Sequence, residues 1–351
     1  MKILVLGGTG AMGIHLVKLL SDDGHSVFVT TRRNRKDEGL IKYITGNAHD
    51  NEFLKSLLTR KFDCIVDFMV YSTDEFSNRV RLLLDSCDQY IYLSSSRVYA
   101  DSETPITETS PRLLDISTDK TYLLTDEYAL TKARQENLLF DSGYTHFTII
   151  RPYITYSENR LQLGVLEKET WLSRALNGKT VVFSQDIASR KTTMTYGFNV
   201  AEGIKALIGN EKALGEIFHI TQSDVHTWTD IWNIYKPVIE NYTQKEAKIL
   251  FVDLDSFESL YQASYQIRYD RLYDRVFDNS KISRFIDTEK FLKPKDGLKK
   301  CLESFLTENG SFLRESPGFN GRADRLTGEF SFSGINGIKN KIKYLVRRVG
   351  L

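Results

Sequence analysis

GGTGAMG, residues 7–13, decides the fold of this chain. The stretch directly follows the apolar run from Ile3 to Leu6, and a helical pattern begins after it near Ala11. Glycines permit a tight turn and a close approach of the backbone, while a helix N-terminus offers free N–H groups and a partial positive charge. With a strand before it and a helix after it, the stretch predicts a loop that holds the pyrophosphate of a dinucleotide, rather than a purely structural turn. The residues that we expect at this loop are Gly7, Thr9, Gly10, Met12 and Gly13.

Short apolar runs alternate with helical patterns over the first 150 residues. The runs lie at residues 3–6, 27–30, 64–68, 90–93 and 148–150. Runs that are apolar on both faces belong in a parallel sheet that is covered by helices. The pattern therefore predicts an α/β fold, a Rossmann-like doubly wound parallel sheet with a smaller, mostly helical C-terminal substrate domain.

The strict alternation loosens after about Tyr156, although a later helix and strand still return to the sheet. We predict a dinucleotide-binding Rossmann domain made of residues 1–157 with the returning segments 193–223. Residues 158–192 and 224–310 are predicted to form a substrate-binding domain, and residues 311–351 a basic C-terminal tail.

The composition limits the class of protein. The 47 Lys and Arg residues nearly balance the 46 Asp and Glu residues, so the net charge of +1 gives no overall field that would gather nucleic acid. Cys64, Cys87 and Cys301 form no CxxC pair, which fits a reducing compartment and predicts no metal site. No apolar run is long enough to cross a bilayer. We expect a cytoplasmic protein.

Thr31, Arg32 and Arg33 stand at the end of the second predicted strand, where an acidic residue would bind the ribose 2′-hydroxyl of NAD. A guanidinium at this place suits the 2′-phosphate of NADP. A solvated basic loop explains the same residues, because Arg35 and Lys36 continue the charge. The sequence favours NADP slightly over NAD.

Tyr128 and Lys132 lie four residues apart in a helical pattern, so both side chains lie on one face. A tyrosine acts as an acid or base near neutral pH when a neighbouring ammonium stabilises its phenolate. Upstream, the strand at residues 90–93 runs into Ser94, Ser95 and Ser96. A hydroxyl at the carboxyl end of a parallel strand lies where doubly wound folds bind their ligands. The order of glycine loop, serine strand end and YxxxK makes the combination specific.

These motifs, taken in order, resemble those of the extended short-chain dehydrogenase/reductases, the NAD-dependent epimerase/dehydratase family that acts on nucleotide sugars. The resemblance rests on GGTGAMG, Gly46 with Asn47, LSSSRVYA, the YALTK stretch, IIRPYITY and FDNSKI, and it covers roughly residues 1–306. It implies that Tyr128 is the catalytic acid/base and that Ser95 is a further catalytic hydroxyl. It also implies that Lys132 holds the nicotinamide ribose and stabilises the tyrosine phenolate. Further cofactor contacts are implied at Asn47, Ala48, Phe68, Met69 and Tyr153.

The chain departs from the family pattern at several positions. Family dehydratases carry an Asp and Glu pair after the catalytic hydroxyl, where this chain has Ser96 and Arg97, so we do not expect dehydration. Ile154 replaces an asparagine that contacts the substrate pyrophosphate, and Asp67 replaces a histidine before the cofactor cleft. The candidate substrate-binding residues are Ser96, Arg97, Lys191 and Arg268. Lys191 and Arg268 could equally be solvated charges.

Residues 335–351 have the pattern of a basic amphipathic helix. Such a helix either docks on its own protein or makes a peripheral contact with an anionic membrane, and we favour docking. The family resemblance also implies a homodimer built on a four-helix interface, to which residues 77–88 and 126–139 are candidate contributors.

Together, these inferences predict an NAD(P)-dependent nucleotide-sugar epimerase or 4-ketoreductase. Hydride would move between a sugar carbon and the nicotinamide, and Tyr128 would move the hydroxyl proton. An epimerase keeps its cofactor and returns the hydride to the other face of a 4-keto intermediate, whereas a ketoreductase uses NADPH once per turnover. The alternative is a non-catalytic dinucleotide-binding regulator or RNA-associated family member, and the presence of Tyr128, Lys132 and Ser95 argues against it.

Overall fold

The computed structural model describes residues 1–308, 310–313 and 316–350. These residues form two compact units. The first unit consists of Met1–Thr155, Thr193–Ser223 and Val276–Leu292, and the second consists of Tyr156–Thr192, Asp224–Arg275 and Lys293–Leu351. Residues 309, 314, 315 and 351 lie outside the described part, and the last three belong to the predicted tail.

The strands of the described chain are β1 (Lys2–Leu6), β2 (Ser26–Thr31), β3 (Ile41–Thr45), β4 (Phe62–Asp67), β5 (Cys87–Leu93), β6 (Phe147–Pro152), β7 (Thr155–Tyr156), β8 (Gln162–Leu163), β9 (Leu166–Glu167), β10 (Val181–Ser184), β11 (Lys191–Thr192), β12 (Thr195–Tyr196), β13 (Glu216–Ile220), β14 (His226–Thr227) and β15 (Ile249–Val252).

The α-helices are α1 (Gly13–Asp22), α2 (Asn51–Leu58), α3 (Thr73–Ser77), α4 (Val80–Leu84), α5 (Leu113–Ile116), α6 (Lys120–Leu123), α7 (Tyr128–Phe140), α8 (Trp171–Leu176), α9 (Gln185–Ala188), α10 (Gly197–Leu207), α11 (Trp228–Thr243), α12 (Leu254–Leu260), α13 (Ser264–Gln266), α14 (Pro294–Thr307), α15 (Pro317–Thr327) and α16 (Ile338–Val349).

A seven-stranded sheet with the order β13-β6-β5-β4-β1-β2-β3 forms the centre of the first unit. Every neighbouring pair in it is parallel. The prediction of a Rossmann-like doubly wound parallel sheet is therefore confirmed. Because all these strands point the same way, the loops that follow them meet at one edge of the sheet.

Successive side chains of a strand point to opposite faces of the sheet, and both faces are buried by apolar packing. From β1, Ile3 and Val5 pack into one apolar cluster with residues of α1 and α10, whereas Leu4 and Leu6 pack into a second cluster with residues of α2 and α4. At about 25 cal/mol per Å² of buried apolar surface, these two layers supply the main driving force for folding of the unit.

The segment Val276–Leu292 belongs to the first unit, although the sequence analysis placed it in the substrate-binding domain. Backbone hydrogen bonds attach it there: the N–H of Ile106 donates to the carbonyl of Val276 at 2.8 Å, and the N–H of Asp278 donates to the carbonyl of Ile106 at 2.9 Å. The Thr221 hydroxyl also donates to the Asn279 amide oxygen at 2.9 Å. Contacts between residues so far apart in the chain leave no local sequence signal.

The C-terminal residues are not a separate tail, because α15 and α16 pack on each other within the second unit. Asp324 of α15 is fully buried and accepts hydrogen bonds from Arg174 at 2.6 Å and Lys179 at 3.0 Å. The buried Tyr344 of α16 donates to the same carboxylate at 2.6 Å. The predicted basic helix is therefore docked, but through its polar side and Tyr344 rather than through its apolar residues.

Candidate active site

The glycine loop has the geometry of a phosphate-binding turn. Gly7 has a φ of +72°, which side-chain-bearing residues rarely adopt, and its N–H donates to the Thr30 hydroxyl at 3.1 Å. A Cβ on Gly13 would lie 2.6 Å from backbone carbon of Gly8, so only glycine allows α1 to begin this close to the loop. A Cβ on Gly10 would meet no atom within 4 Å, because this residue faces open space.

A cleft of about 390 Å³ lies beside this loop, at the carboxyl ends of β1 to β4. Nine of the predicted cofactor residues line it: Gly7, Thr9, Gly10, Thr31, Arg32, Asn47, Ala48, Phe68 and Met69. Thr30, Gly46, His49 and Val70 line it as well. Thr30 and His49 were not predicted as cofactor contacts, since neither carries a motif of its own.

The other predicted cofactor residues are not among those that line this cleft. Met12 is the N-cap residue of α1, and Gly13 is buried in the loop packing. Arg33 is exposed, and its backbone N–H donates to the Thr31 hydroxyl at 3.2 Å, whereas Arg32 is among the residues that line the cleft.

Tyr128 and Lys132 lie on one face of α7, as their spacing predicts. Tyr128 is the first residue of the helix and is half-buried, whereas Lys132 is buried one turn later. The Lys132 ammonium donates to the carbonyl of Leu93, the last residue of β5, at 2.7 Å and lies 6.0 Å from the centre of the Tyr128 ring. Desolvation lowers the pKa of Lys132 to about 8, against the opposing effect of the carboxylates of Asp67 and Glu136.

Arg97 provides a second cation beside the tyrosine. Its guanidinium carbon lies 5.2 Å from the centre of the Tyr128 ring, and the guanidinium pairs with the Glu127 carboxylate at 2.5 Å. Glu127 is the N-cap residue of α7 and accepts from the N–H of Ala129 at 2.8 Å. The ion pair of Arg97 with Glu127 therefore links the segment that follows β5 to the start of α7, where Tyr128 is the first residue.

The three serines after β5 have different environments. The Ser94 hydroxyl donates to the buried Glu136 at 2.5 Å, while the Ser95 hydroxyl accepts from the N–H of Arg97 at 3.2 Å and caps the short 3₁₀ turn Ser96–Val98. Ser96 is fully buried, and its hydroxyl donates to the carbonyl of Arg151 at 2.8 Å. The Ser96 hydroxyl is therefore engaged within the protein, and a contact of Ser96 with the substrate stays a prediction.

Asp67 contacts a residue that lines the cleft and interacts electrostatically with Lys132. It ends β4, is fully buried, and accepts hydrogen bonds from the hydroxyls of Tyr90 at 2.8 Å and Tyr71 at 3.0 Å. The N–H of Met69, which lines the cleft, donates to it at 2.9 Å. Burial raises the pKa of Asp67, whereas these hydrogen bonds and the positive charge of Lys132 lower it. In the sequence, Asp67 stands out only as a departure from the family pattern.

Tyr153 and Ile154 follow β6. Tyr153 is buried, and its ring centre lies 5.2 Å from that of Phe277. Ile154 has a φ of +22°, a region in which a β-branched side chain is strained. The family resemblance implies an asparagine at this position, a residue that adopts positive φ more readily than isoleucine.

Lys191 and Arg268, the two remaining substrate candidates, belong to the second unit. Lys191 is exposed, and its backbone N–H donates to Asp274 at 2.8 Å. The Arg268 side chain is 62% exposed and lies 3.6 Å from the Glu258 carboxylate. Exposure and a long ion-pair distance are typical of solvated surface charges.

Sequence comparison identifies proteins that are similar to this chain. The chain is 25% identical over 268 residues to the chloroplast stem-loop binding protein of 41 kDa b from Arabidopsis thaliana, a match that spans 70% of this chain and 67% of the relative. It is 21% identical to 2′-dehydrokanamycin reductase from Streptomyces kanamyceticus, over 66% of this chain and 65% of the relative. The chain thus spans about two thirds of the length of these two relatives.

A similar solved structure is the UDP-glucuronic acid 4-epimerase from Bacillus cereus in complex with NAD. It superimposes with a TM-score of 0.66 and 17% identity, over 89% of this chain and all of the other, and this likeness shows the fold. The sequence model of the NAD dependent epimerase/dehydratase family matches residues 3–220, which is most of the chain. The glycine loop, the serine strand end and the Tyr128–Lys132 pair all lie inside this match, and the chain belongs to the NAD dependent epimerase/dehydratase family.

Proposed function

We propose that this protein is a nucleotide-sugar epimerase or 4-ketoreductase that uses a nicotinamide dinucleotide. The observation that carries the proposal is the placement of the Tyr128 ring beside two cations, Lys132 at 6.0 Å and Arg97 at 5.2 Å. Both cations lie near the end of β5, in the unit that also contains the glycine loop. Family membership supports the same reading.

The residues of the cleft fit a dinucleotide. The positive φ of Gly7 and the open space at Gly10 allow a pyrophosphate to approach the backbone, and the first turn of α1 offers free N–H groups to it. Arg32, which borders the cleft, is suited to a 2′-phosphate, and we therefore propose a preference for NADP. When it is bound, the nicotinamide ring exchanges a hydride with the substrate carbon.

Tyr128 performs the proton transfer in this proposal. In the oxidative direction its phenolate oxygen receives the proton of the reacting sugar alcohol, and in the reductive direction its hydroxyl returns that proton. The positive charges of Lys132 and Arg97 stabilise the phenolate before it takes up this proton and after it has given the proton back. Ser95 lies at the same strand end, where its hydroxyl can donate a hydrogen bond to the reacting oxygen.

Substitution of the tyrosine tests this mechanism. Tyr128→Phe removes the hydroxyl and keeps the ring, so we expect turnover of a panel of nucleotide sugars with NAD and NADPH to fall by at least about 100-fold. Tyr144→Phe is the matched control, because the Tyr144 hydroxyl bonds only the surface residue Asp85 among the partners described for it. Unchanged turnover in Tyr128→Phe would contradict the mechanism.

The state of the purified protein separates the two reaction types. An epimerase returns the hydride within one turnover, so it retains its dinucleotide through purification. The amount of retained dinucleotide is measured by absorbance after its release with acid. A ketoreductase releases its cofactor and consumes NADPH in proportion to product. A wild-type protein that binds dinucleotide but turns over no sugar on the panel would support the non-catalytic, RNA-associated alternative, which the name of the Arabidopsis relative motivates.

We further propose that the protein is a cytoplasmic homodimer. The free thiols Cys64, Cys87 and Cys301 are consistent with a reducing compartment. The family resemblance suggests an interface at residues 77–88 and 126–139, and sedimentation equilibrium of the purified protein tests the dimer.

A further inference from the structure

The C-terminal helix α16 concentrates positive charge. Residues 330–351 contain five Lys and Arg residues and no Asp or Glu. The whole chain has a net charge of +1, so residues 1–329 together carry −4. The positive field at this end of the chain is therefore local to the segment that contains α16.

One side of α16 is fixed against α15. The buried Tyr344 donates to Asp324 at 2.6 Å, and the Arg348 guanidinium donates to the carbonyl of Glu329 at 2.9 Å. A Cβ on Gly321 of α15 would lie 2.3 Å from the carbonyl oxygen of Tyr344, which shows how closely the two backbones approach. These contacts determine which side of α16 faces the protein.

The apolar side chains of α16 point away from that contact. Their exposed fractions are 79% for Ile338, 54% for Ile342, 39% for Leu345, 37% for Val346 and 64% for Val349. A helix rotates by about 100° per residue, so these five side chains span an arc of about 100° around the helix axis. The centre of this arc lies about 150° from Tyr344. The docking of α16 therefore leaves a continuous apolar stripe exposed.

Three lysines border the stripe. By the same helical rotation Lys339 and Lys341 lie at its two edges, and Lys343 lies next to Lys339. All three are exposed, and Lys341 additionally lies 5.6 Å from the centre of the Phe332 ring. An apolar stripe between rows of cations is the arrangement of helices that lie in the plane of a membrane interface.

We propose that α16 is an interfacial helix that binds the protein to an anionic lipid surface. The apolar stripe enters the boundary between headgroups and acyl chains, and the lysines contact the lipid phosphates. No helix of the described residues is long and apolar enough to cross a membrane, so the contact is peripheral. A second copy of the chain is a poor occupant, because a symmetric contact through this face would oppose two rows of cations.

Vesicle binding of the full-length protein tests the proposal. We expect co-sedimentation with vesicles of phosphatidylcholine and phosphatidylglycerol, weak binding to pure phosphatidylcholine, and release at high salt. The double variant Ile338→Asp/Ile342→Asp places charge in the stripe and should reduce the bound fraction by roughly tenfold or more. Both positions are exposed, so folding should be unaffected, which circular dichroism verifies.

Two further variants complete the experiment. Leu124→Asp changes an apolar residue that is 89% exposed in the first unit and should bind vesicles as the wild type does. Lys339→Gln/Lys343→Gln should remove most of the preference for phosphatidylglycerol. The proposal is overturned if the wild type does not bind anionic vesicles or if the double Asp variant binds equally well. A dimer in solution that disappears in Ile342→Asp would also overturn it, since the stripe would then be covered by a second copy.

Discussion

We expect the buried ammonium of Lys132 to limit the pH range of the candidate site. Its pKa of about 8 lies below the ordinary value of 10.5, so between these limits the unfolded chain binds more protons than the folded protein. The burial of this charge costs stability at low pH, and that cost is relieved as the pH rises from about 8 to about 10.5. The same deprotonation removes the charge that Tyr128 and a cofactor ribose would use.

Dinucleotide affinity should therefore fall as the pH rises through about 8. Asp67→Asn keeps the shape of the side chain but removes a charge that raises the pKa of Lys132, so in this variant the decline should begin at a lower pH. Titration of the ligand-free protein with NADP, followed by fluorescence at a series of pH values, measures the affinity. It gives one profile of affinity against pH for the wild type and one for Asp67→Asn. Asp88→Asn, an exposed substitution in β5, is the control, and identical profiles for Asp67→Asn and wild type would contradict the coupling.

Arg97 should contribute to turnover through its charge. Because its guanidinium lies 5.2 Å from the Tyr128 ring centre, Arg97→Met should lower kcat by about 10- to 100-fold, and Arg97→Lys should restore part of the loss. Steady-state kinetics with the best sugar of the panel measures the effect. A change in KM alone would instead indicate a contact with the substrate.

At the scale of elements, α7 and α16 show what periodicity can and cannot predict. The spacing of Tyr128 and Lys132 predicted a shared helix face, because both residues belong to one helix and geometry fixes their relation. The pairing of Arg97 with Glu127 joins two elements and depends on their packing. For α16 the pattern predicted the helix, but the face that docks is set by Tyr344 and Asp324, which a hydrophobicity pattern does not single out.

The docking of α15 should depend strongly on Asp324. Asp324→Ala leaves the buried cations Arg174 and Lys179 without this partner, so the free energy of unfolding of the second unit should fall by about 3–5 kcal/mol. Urea denaturation followed by tryptophan fluorescence measures the loss. Glu303→Ala is the control, because Glu303 is half exposed and lies 3.9 Å from Lys299, and it should change stability by less than about 1 kcal/mol. If Asp324→Ala lowered the free energy of unfolding no more than Glu303→Ala does, the contacts of Asp324 with Arg174 and Lys179 would not stabilise the protein.

At the scale of the whole molecule, ligand binding should be visible as stability. A dinucleotide at about 100 times its Kd should stabilise the first unit by about 2.7 kcal/mol, and we expect NADP to raise the Tm more than NAD at equal concentration. Arg32→Ala should remove this difference, because Arg32 lines the cleft and its guanidinium would pair with the 2′-phosphate of NADP. Scanning calorimetry with each dinucleotide measures the shifts. A larger shift with NAD in the wild type would reverse the proposed preference.

Much of the architecture is predictable from sequence, and the family match confirms an NAD-dependent enzyme of the extended short-chain dehydrogenase/reductase type. Local patterns predicted the sheet, the glycine loop and the YxxxK helix, since each is encoded within a few neighbouring residues. The prediction that residues 276–292 belong to the substrate-binding domain was wrong, because hydrogen bonds to Ile106 and Thr221 hold this segment in the first unit. The tyrosine cluster around Asp67 was also missed, since Asp67 at the end of β4, Tyr71 after it and Tyr90 within β5 meet only in the folded sheet.

The strand order has a consequence for synthesis of the protein on the ribosome. β13 completes the sheet beside β6, yet residues 156–192 of the second unit are translated between the two strands. The nascent chain must therefore keep the edge of β6 open for more than 60 residues of elongation, as the interval from Pro152 to Glu216 shows. An open apolar strand edge pairs readily with other chains, so during this interval we expect the nascent protein to be prone to aggregate and to need a chaperone.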